Sequence, residues 1–204
     1  MPRPYRMGQR QVAADQTRAR ILAAARELIM ASDGFARFSI DAVARHADVA
    51  RMTIYYQFGS RIGLLEALCD TLGAQGGMHQ LATAFQQPTA IGALDTCLAV
   101  FSHFWDSDRL VTRRLRGLAA LDPDFEQVVR ARDERRRRAL GMIVGRFVED
   151  AHGPATRSLE EQVNVLVAVT SFEFFDMLAG PIRTCQEVAP IVRDLALAAL
   201  GLSD

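Results

Sequence analysis

Apolar residues recur at intervals of three and four along nearly the whole chain, and nowhere alternate with polar ones for the length of a strand. That periodicity most constrains the fold, because it fits the turn of a helix and not the pleat of a strand; it predicts an all-α protein. Within 12–32, Ile21, Leu22, Ala25, Leu28 and Ile29 share one face, and Gly34 follows as a stop. A second, short helix is predicted over 39–46, with Ser39 as its N-cap and Ile40, Val43, Ala44 and Ala47 facing inward. A third covers about 50–57 and ends at Gly59-Ser60, where Ser60 caps a fourth running to about 74. The stretch 75–90 (AQGG, then QQPT) reads as a loop or a frayed helix end. Beyond it, helices are predicted at about 90–105, 108–120, 123–151, 157–179 and 187–201. Asp122-Pro123 is a start signal, and Gly153-Pro154 and Gly180-Pro181 are stops.

Half of the 204 residues are apolar, enough for one domain with a large core or a small domain docked on a medium one. No run of eighteen apolar residues exists, and the basic N-terminus MPRPYRMGQRQ lacks an apolar signal core, so a cytoplasmic location is expected. Cys69, Cys97 and Cys185 are odd in number and widely spaced. They are expected to be reduced core residues, the alternative being a redox sensor. The net charge of zero hides an asymmetry. All 24 basic residues are arginine; residues 1–61 hold ten of them against five acids, and residues 62–204 hold fourteen against nineteen. A head of charge +5 on a body of −5 suggests that only the head meets a polyanion. The expected organisation is a basic arm at 1–14, a first domain at 15–62 and a second at 63–204.

Residues 43–58 read VARHADVARMTIYYQF. Two short helices across a tight turn, in basic surroundings, predict a helix-turn-helix motif at about 39–58. The second helix of such a motif enters the major groove. Ile54 and Phe58 would face the core with Val43 and Val49, leaving Arg51, Thr53, Tyr55, Tyr56 and Gln57 on the outer arc. Tyrosine and threonine hydroxyls can reach phosphates, and the aromatic and methyl groups can touch sugars and thymine. Tyr55 can equally serve as a packed ring that stabilises the helix pair.

Across residues 17–68 the fixed positions TRARILAAA, GF, SIDAVA, ADVARMTIYYQF and SRIGLL make the chain resemble the DNA-binding domain of TetR/AcrR-family transcriptional regulators. The resemblance implies an all-α homodimer with a helical C-terminal domain that binds a small effector, joined through its last two helices. It implies a one-component regulator, most often a repressor of a palindromic operator in double-stranded DNA, with no cofactor. The alternative is a helical interaction protein, or a ligand-independent regulator, that keeps the fold. By the same resemblance Thr53, Tyr55 and Tyr56 take phosphate or base contacts, Arg61 grips the backbone and Ser39 offers a phosphate-touching hydroxyl. Arg3, Arg6 and Arg10 either reach a minor groove or lie on a solvated tail. Two positions depart from the pattern. Asp48 stands at the turn glycine, where aspartate tolerates a left-handed backbone. Ala50 stands at the serine cap, a loss that Asp48 can offset by facing the positive end of the helix.

In the second domain, helix 90–105 is apolar over a wide arc, with Ile91, Leu94, Leu98, Phe101 and Trp105 on one face. The aromatic and thioether residues around it either fill a core or enclose a cavity. A mainly apolar effector pocket is expected between the helices at 90–105, 123–151 and 157–179. Its walls would be Phe101, Phe104, Trp105, Met142 and Phe174, and its polar contacts His103, Thr170 and Glu173. Glu173 paired with Arg132 or Arg136 suits a neutral ligand; unpaired, it suits a cationic one. Both arginines fall on the apolar stripe of helix 123–151 and need acidic partners or an anionic ligand. Helix 157–179 is apolar on two faces, one of which would join helix 187–201 (Ile191, Leu195, Ala198) in a four-helix dimer seam. The sequence holds no nucleophile–base set, metal-ligand spacing or nucleotide loop, so neither enzyme activity nor a metal is expected.

Overall fold

A computed structural model of the chain describes residues 4–31, 38–150 and 157–202, and contains no strand among them. The order is α1 (Pro4–Met30), α2 (Ile40–His46), α3 (Arg51–Phe58), α4 (Arg61–Gln75), a 3₁₀ turn (Met78–Gln80), α5 (Leu81–Ala84), α6 (Ala90–Ser107), α7 (Arg109–Ala119), α8 (Pro123–Asp150), α9 (Leu159–Val169), α10 (Phe172–Ala179) and α11 (Cys185–Ala199).

The helix starts follow local capping chemistry. Ser39 Oγ accepts from the Ala42 amide at 3.2 Å, Ser60 Oγ from Gly63 at 2.9 Å and the Asp122 carboxylate from Phe125 at 3.2 Å. Each satisfies an amide that the first helical turn leaves without a partner. Ser158 with Glu161, and Thr184 with Glu187, form reciprocal capping boxes. The backbone amides donating to Glu161 and Glu187 hold both carboxyls below the usual carboxylate range.

Three expectations change. First, α1 begins at Pro4, so Arg6 and Arg10 lie on a helix, not on an extended arm. Arg3, Gly34 and Gly153-Pro154 lie outside the described residues. Second, the AQGG stretch is a close-packed corner. Gly77 takes φ +74, and a Cβ on Gly76 would stand 2.6 Å from the Phe104 ring.

Third, the single helix expected over 157–179 is two, α9 and α10, bent by 49°. Thr170 Oγ1 turns back to donate to the Leu166 carbonyl at 2.7 Å, and Ser171 Oγ accepts from the Phe174 amide at 3.2 Å, starting a new helix. The break is held from outside. The Trp105 indole N–H donates to the Thr170 carbonyl at 3.1 Å. Arg136, only 7% exposed, donates to the Val167 carbonyl at 2.7 Å and to Thr170 Oγ1 at 2.8 Å, and also reaches Asp133 at 3.5 Å. A carbonyl and a hydroxyl thus join the acidic partner that a guanidinium in core phase was expected to need. Arg132 is half-buried and donates to the Val128 carbonyl. No single helix among the described residues is long and apolar enough to cross a membrane; α9 with α10 reaches that length only across the bend.

The chain divides into two units, residues 1–71 with 114–125, and residues 72–113 with 126–204. In the first, α1 packs on α2 and α2 on α3, around Ile21, Ala25, Val43 and Ile54, each fully buried. In the second, α5, α10 and α11 pack on α6, and the core joins Leu94, Phe101, Trp105, Ile143, Leu166, Phe175 and Val192. Cys97 and Cys185 lie in that core, and burial pushes both thiols up to about 12. Little thiolate forms there at neutral pH, which fits inert core residues.

The end of α10 is held by charge. Arg109 Nε lies 2.5 Å from Asp176 Oδ1, and its Nη2 donates to the carbonyls of Asp176 (2.7 Å) and Gly180 (2.8 Å). Arg113 reaches the same carboxylate at 2.6 Å. Burial works against the charge on Asp176, but Arg113 and Arg109 outweigh it and hold the carboxyl below the usual range. Asp176→Asn should destabilise the protein by about 1–3 kcal/mol at pH 7. Because the folded-state value is depressed, this contribution is complete above the ordinary carboxylate value of about 3.9 and is lost as the pH falls through the folded one. Urea denaturation at neutral and strongly acid pH should therefore show a gap between mutant and wild type that closes on acidification. A gap that stayed constant would show that the carboxylate charge is not what holds this helix end.

Candidate nucleic-acid interface

The site begins with a turn. Asp48 adopts φ +49, the left-handed conformation expected where glycine is missing. It turns the chain from α2 into α3, with Ile54 and Val43 fully buried and Val49 and Phe58 half-buried. Ala50 precedes α3 and, as expected, makes no side-chain cap. Gly59, at φ +74, ends the helix. Support comes from α1. Arg18 lies 4.3 Å over the Phe58 ring and donates to the Gln57 carbonyl at 3.0 Å.

The outer arc is graded in exposure. Tyr56 is 89% exposed and Arg51 points outward; Thr53, Tyr55 and Gln57 are half-buried. Tyr55 is half-buried, and its hydroxyl accepts from Arg51 Nη2 at 3.2 Å. The Ser39 hydroxyl serves α2 as cap acceptor and keeps its proton to give. Arg61 has an acidic partner. It pairs with Asp122, which its hydrogen bond holds below the usual carboxylate range. Any grip on a phosphate would have to compete with that pair. Sequence reasoning missed two features. Met52 stands 71% exposed on the same helix, where periodicity alone would assign an apolar residue to a core. Asp41, from the first turn of α2, lies 3.3 Å from Arg51 Nη1. Between α2 and α3 an open depression is lined by Asp41, Ala44, Arg45, Asp48, Val49, Ala50 and Arg51.

The residues expected to line an effector pocket do not share one chamber. Phe101 and Trp105 are core residues, with Phe104 and Phe172 packed on Trp105 at 4.6 and 5.6 Å. Thr170 is fully buried at the helix break, and Phe174 is half-buried. Met142 is 57% exposed, because Leu140, Ile143 and Val144 take the inward phase of α8. His103 is exposed and meets Gln186 at 3.1 Å. Glu173 is exposed in the first turn of α10, where its charge faces the positive end of that helix.

Residues 21–68 match the family model described as bacterial regulatory proteins, tetR family. Over those residues the chain is similar to the tetR family of regulatory proteins. The likeness to TetR-family proteins of known structure runs further along the chain. The transcriptional regulator PfmR of Thermus thermophilus is 19% identical, with a TM-score of 0.66 over 87% of this chain and 97% of that one. A TetR-like regulator of a Rhodococcus species is 21% identical, with a TM-score of 0.66 over 91% and 96%. At such identities the likeness establishes the TetR fold. No curated protein matches the sequence.

The turn of this TetR-type domain is directly testable. Asp48→Val forces a β-branched residue into the left-handed region and should cost about 1–2 kcal/mol in thermal or urea unfolding. Wild-type stability in that mutant would mean the turn can relax to another conformation.

Proposed function

We propose that the chain is a one-component transcriptional regulator that binds a palindromic operator in double-stranded DNA as a homodimer. In this reading it is a cytoplasmic repressor that a small, mainly apolar effector releases. The observation that carries the proposal is the outer face of α3. Ile54 closes the core beneath it, while Arg51, Tyr56 and the edges of Thr53 and Tyr55 stay available. A helix that presents a guanidinium, hydroxyls and a phenol together suits both phosphates and base edges. The excess of arginine in residues 1–61 supplies the long-range attraction. A helical interaction protein that kept the fold would need no such face.

Release requires two states for which the effector has different affinities. In this proposal the effector enters the second unit beside the α9–α10 break. There Phe104 and Phe172 pack on Trp105, whose indole N–H meets the Thr170 carbonyl, a mainly apolar setting with few polar groups. The dimer seam uses α10 and α11, where Met177, Ile191 and Leu195 are exposed in the single chain.

Selection of bound sequences from random duplex DNA tests the proposal. The selected duplex should bind with an affinity that falls linearly with salt on logarithmic axes. On it, Thr53→Ala and Tyr56→Phe should each lose about 1.5–3 kcal/mol of binding, read by fluorescence anisotropy at fixed salt. Two mutants with wild-type affinity would remove α3 from the interface. Assembly has its own test. Leu195→Glu should sediment as a monomer and lose cooperative binding to the two half-sites; a dimer that persists places the seam elsewhere.

A further inference from the structure

We propose that Arg51 reads a guanine in each operator half-site, and that Asp41 is the positioning residue that aims it. The inference rests on the DNA-binding reading above and goes further, to one base and to the residue that enforces it.

Arg51 is the first residue of α3, the end of a recognition helix that meets base edges. Its guanidinium is restrained on two sides. Nη1 lies 3.3 Å from Asp41 Oδ1 on α2. Nη2 donates to the Tyr55 hydroxyl at 3.2 Å, and the guanidinium carbon stands 5.6 Å from the centre of the Tyr55 ring. Both charged side chains are more than half exposed, so this ion pair adds little to stability. Its effect on recognition is larger. A free arginine on this face would settle on the nearest phosphate and bind any sequence. The Asp41 carboxylate repels phosphate and draws the guanidinium toward itself, so the side chain loses that option. A carboxylate on a face meant for a polyanion weakens general affinity, and the gain that offsets it is selectivity.

The hydrogen-bond count selects the base. A guanidinium carries five N–H donors and no acceptor. The bonds to Asp41 and Tyr55 engage two, and three remain. Guanine alone presents two acceptors side by side in the major groove, O6 and N7. Adenine sets a donor beside its acceptor, and thymine sets a methyl group there, so a donor-only fork matches neither.

The test uses the full chain and the duplex recovered by selection, at about 0.15 M salt. Each half-site should contain a G·C pair whose exchange for A·T weakens wild-type binding roughly 5- to 150-fold. Arg51→Lys keeps the charge but loses the planar fork, and should bring that ratio close to one. Asp41→Asn should reduce the same ratio several-fold while raising affinity for unrelated duplexes. A purely structural Asp41 would move the thermal midpoint and leave the ratio as it was. If the wild type prefers no duplex, the DNA-binding reading falls and this inference with it. If it selects an operator in which no G·C pair responds to Arg51→Lys, or if Asp41→Asn discriminates as well as wild type, the inference fails and the DNA-binding reading stands.

Discussion

Guanidinium groups on the carbonyl ends of helices are the interaction on which this structure depends. The last turn of every helix leaves carbonyls without partners and carries partial negative charge. Here arginines from distant parts of the sequence supply the donors. Arg114 donates to Ile29 at the end of α1, Arg18 to Gln57 near the end of α3, Arg136 to Val167 in the last turn of α9, Arg109 to Asp176 and Gly180 around the end of α10, and Arg157 to Ala199 at the end of α11. A planar fork with several donors can bridge two carbonyls, or a carbonyl and a carboxylate, as Arg109 does. A lysine ammonium offers one charge centre and no such fork. The use of arginine for every basic position therefore has structural consequences well beyond charge.

The α9–α10 break shows what this permits. A break in a buried helix normally strands polar groups in an apolar core. Here the Thr170 carbonyl takes the Trp105 N–H, the Val167 carbonyl takes Arg136, and the Thr170 hydroxyl both donates and accepts. With those groups satisfied, the segment can change direction and serve two surfaces. Phe172 and Phe175 enter the core of the second unit, while Met177 on the same short helix stays exposed.

The outer face of α3 follows the opposite logic. Its helix has eight residues, no side-chain cap and a left-handed aspartate at its entrance. A helix that short is not stable by itself. Its position comes from tertiary support, Ile54 packed below and Arg18 of α1 gripping both the Phe58 ring and the Gln57 carbonyl. Because the fold asks so little of the outer arc, Arg51, Met52 and Tyr56 stay exposed and are not fixed by core packing.

Where a signal lies within a few residues, the outcome was legible before any packing was known. The caps at Ser39, Ser60 and Asp122, the left-handed turn at Asp48, the uncapped Ala50 and the inward Val43 and Ile54 all follow from local hydrogen bonding and helical period. So does the inward phase of Arg136. Packing chose which partner each long side chain found. Nothing near Arg136 in sequence points to Val167 and Thr170, nothing near Arg61 to Asp122, and nothing near Arg51 singles out Asp41. The expected pocket walls scattered for the same reason. Helix phase gives the direction of Met142, His103 and Glu173 relative to their own axes, but exposure depends on which neighbouring helix covers each direction, and the break at Thr170 turned α10 away from the axis of α9. Local chemistry fixes dihedral angles one turn at a time. Pairings across tens of residues are selected by burial and by the satisfaction of polar groups in the assembled core, and no single segment carries that information.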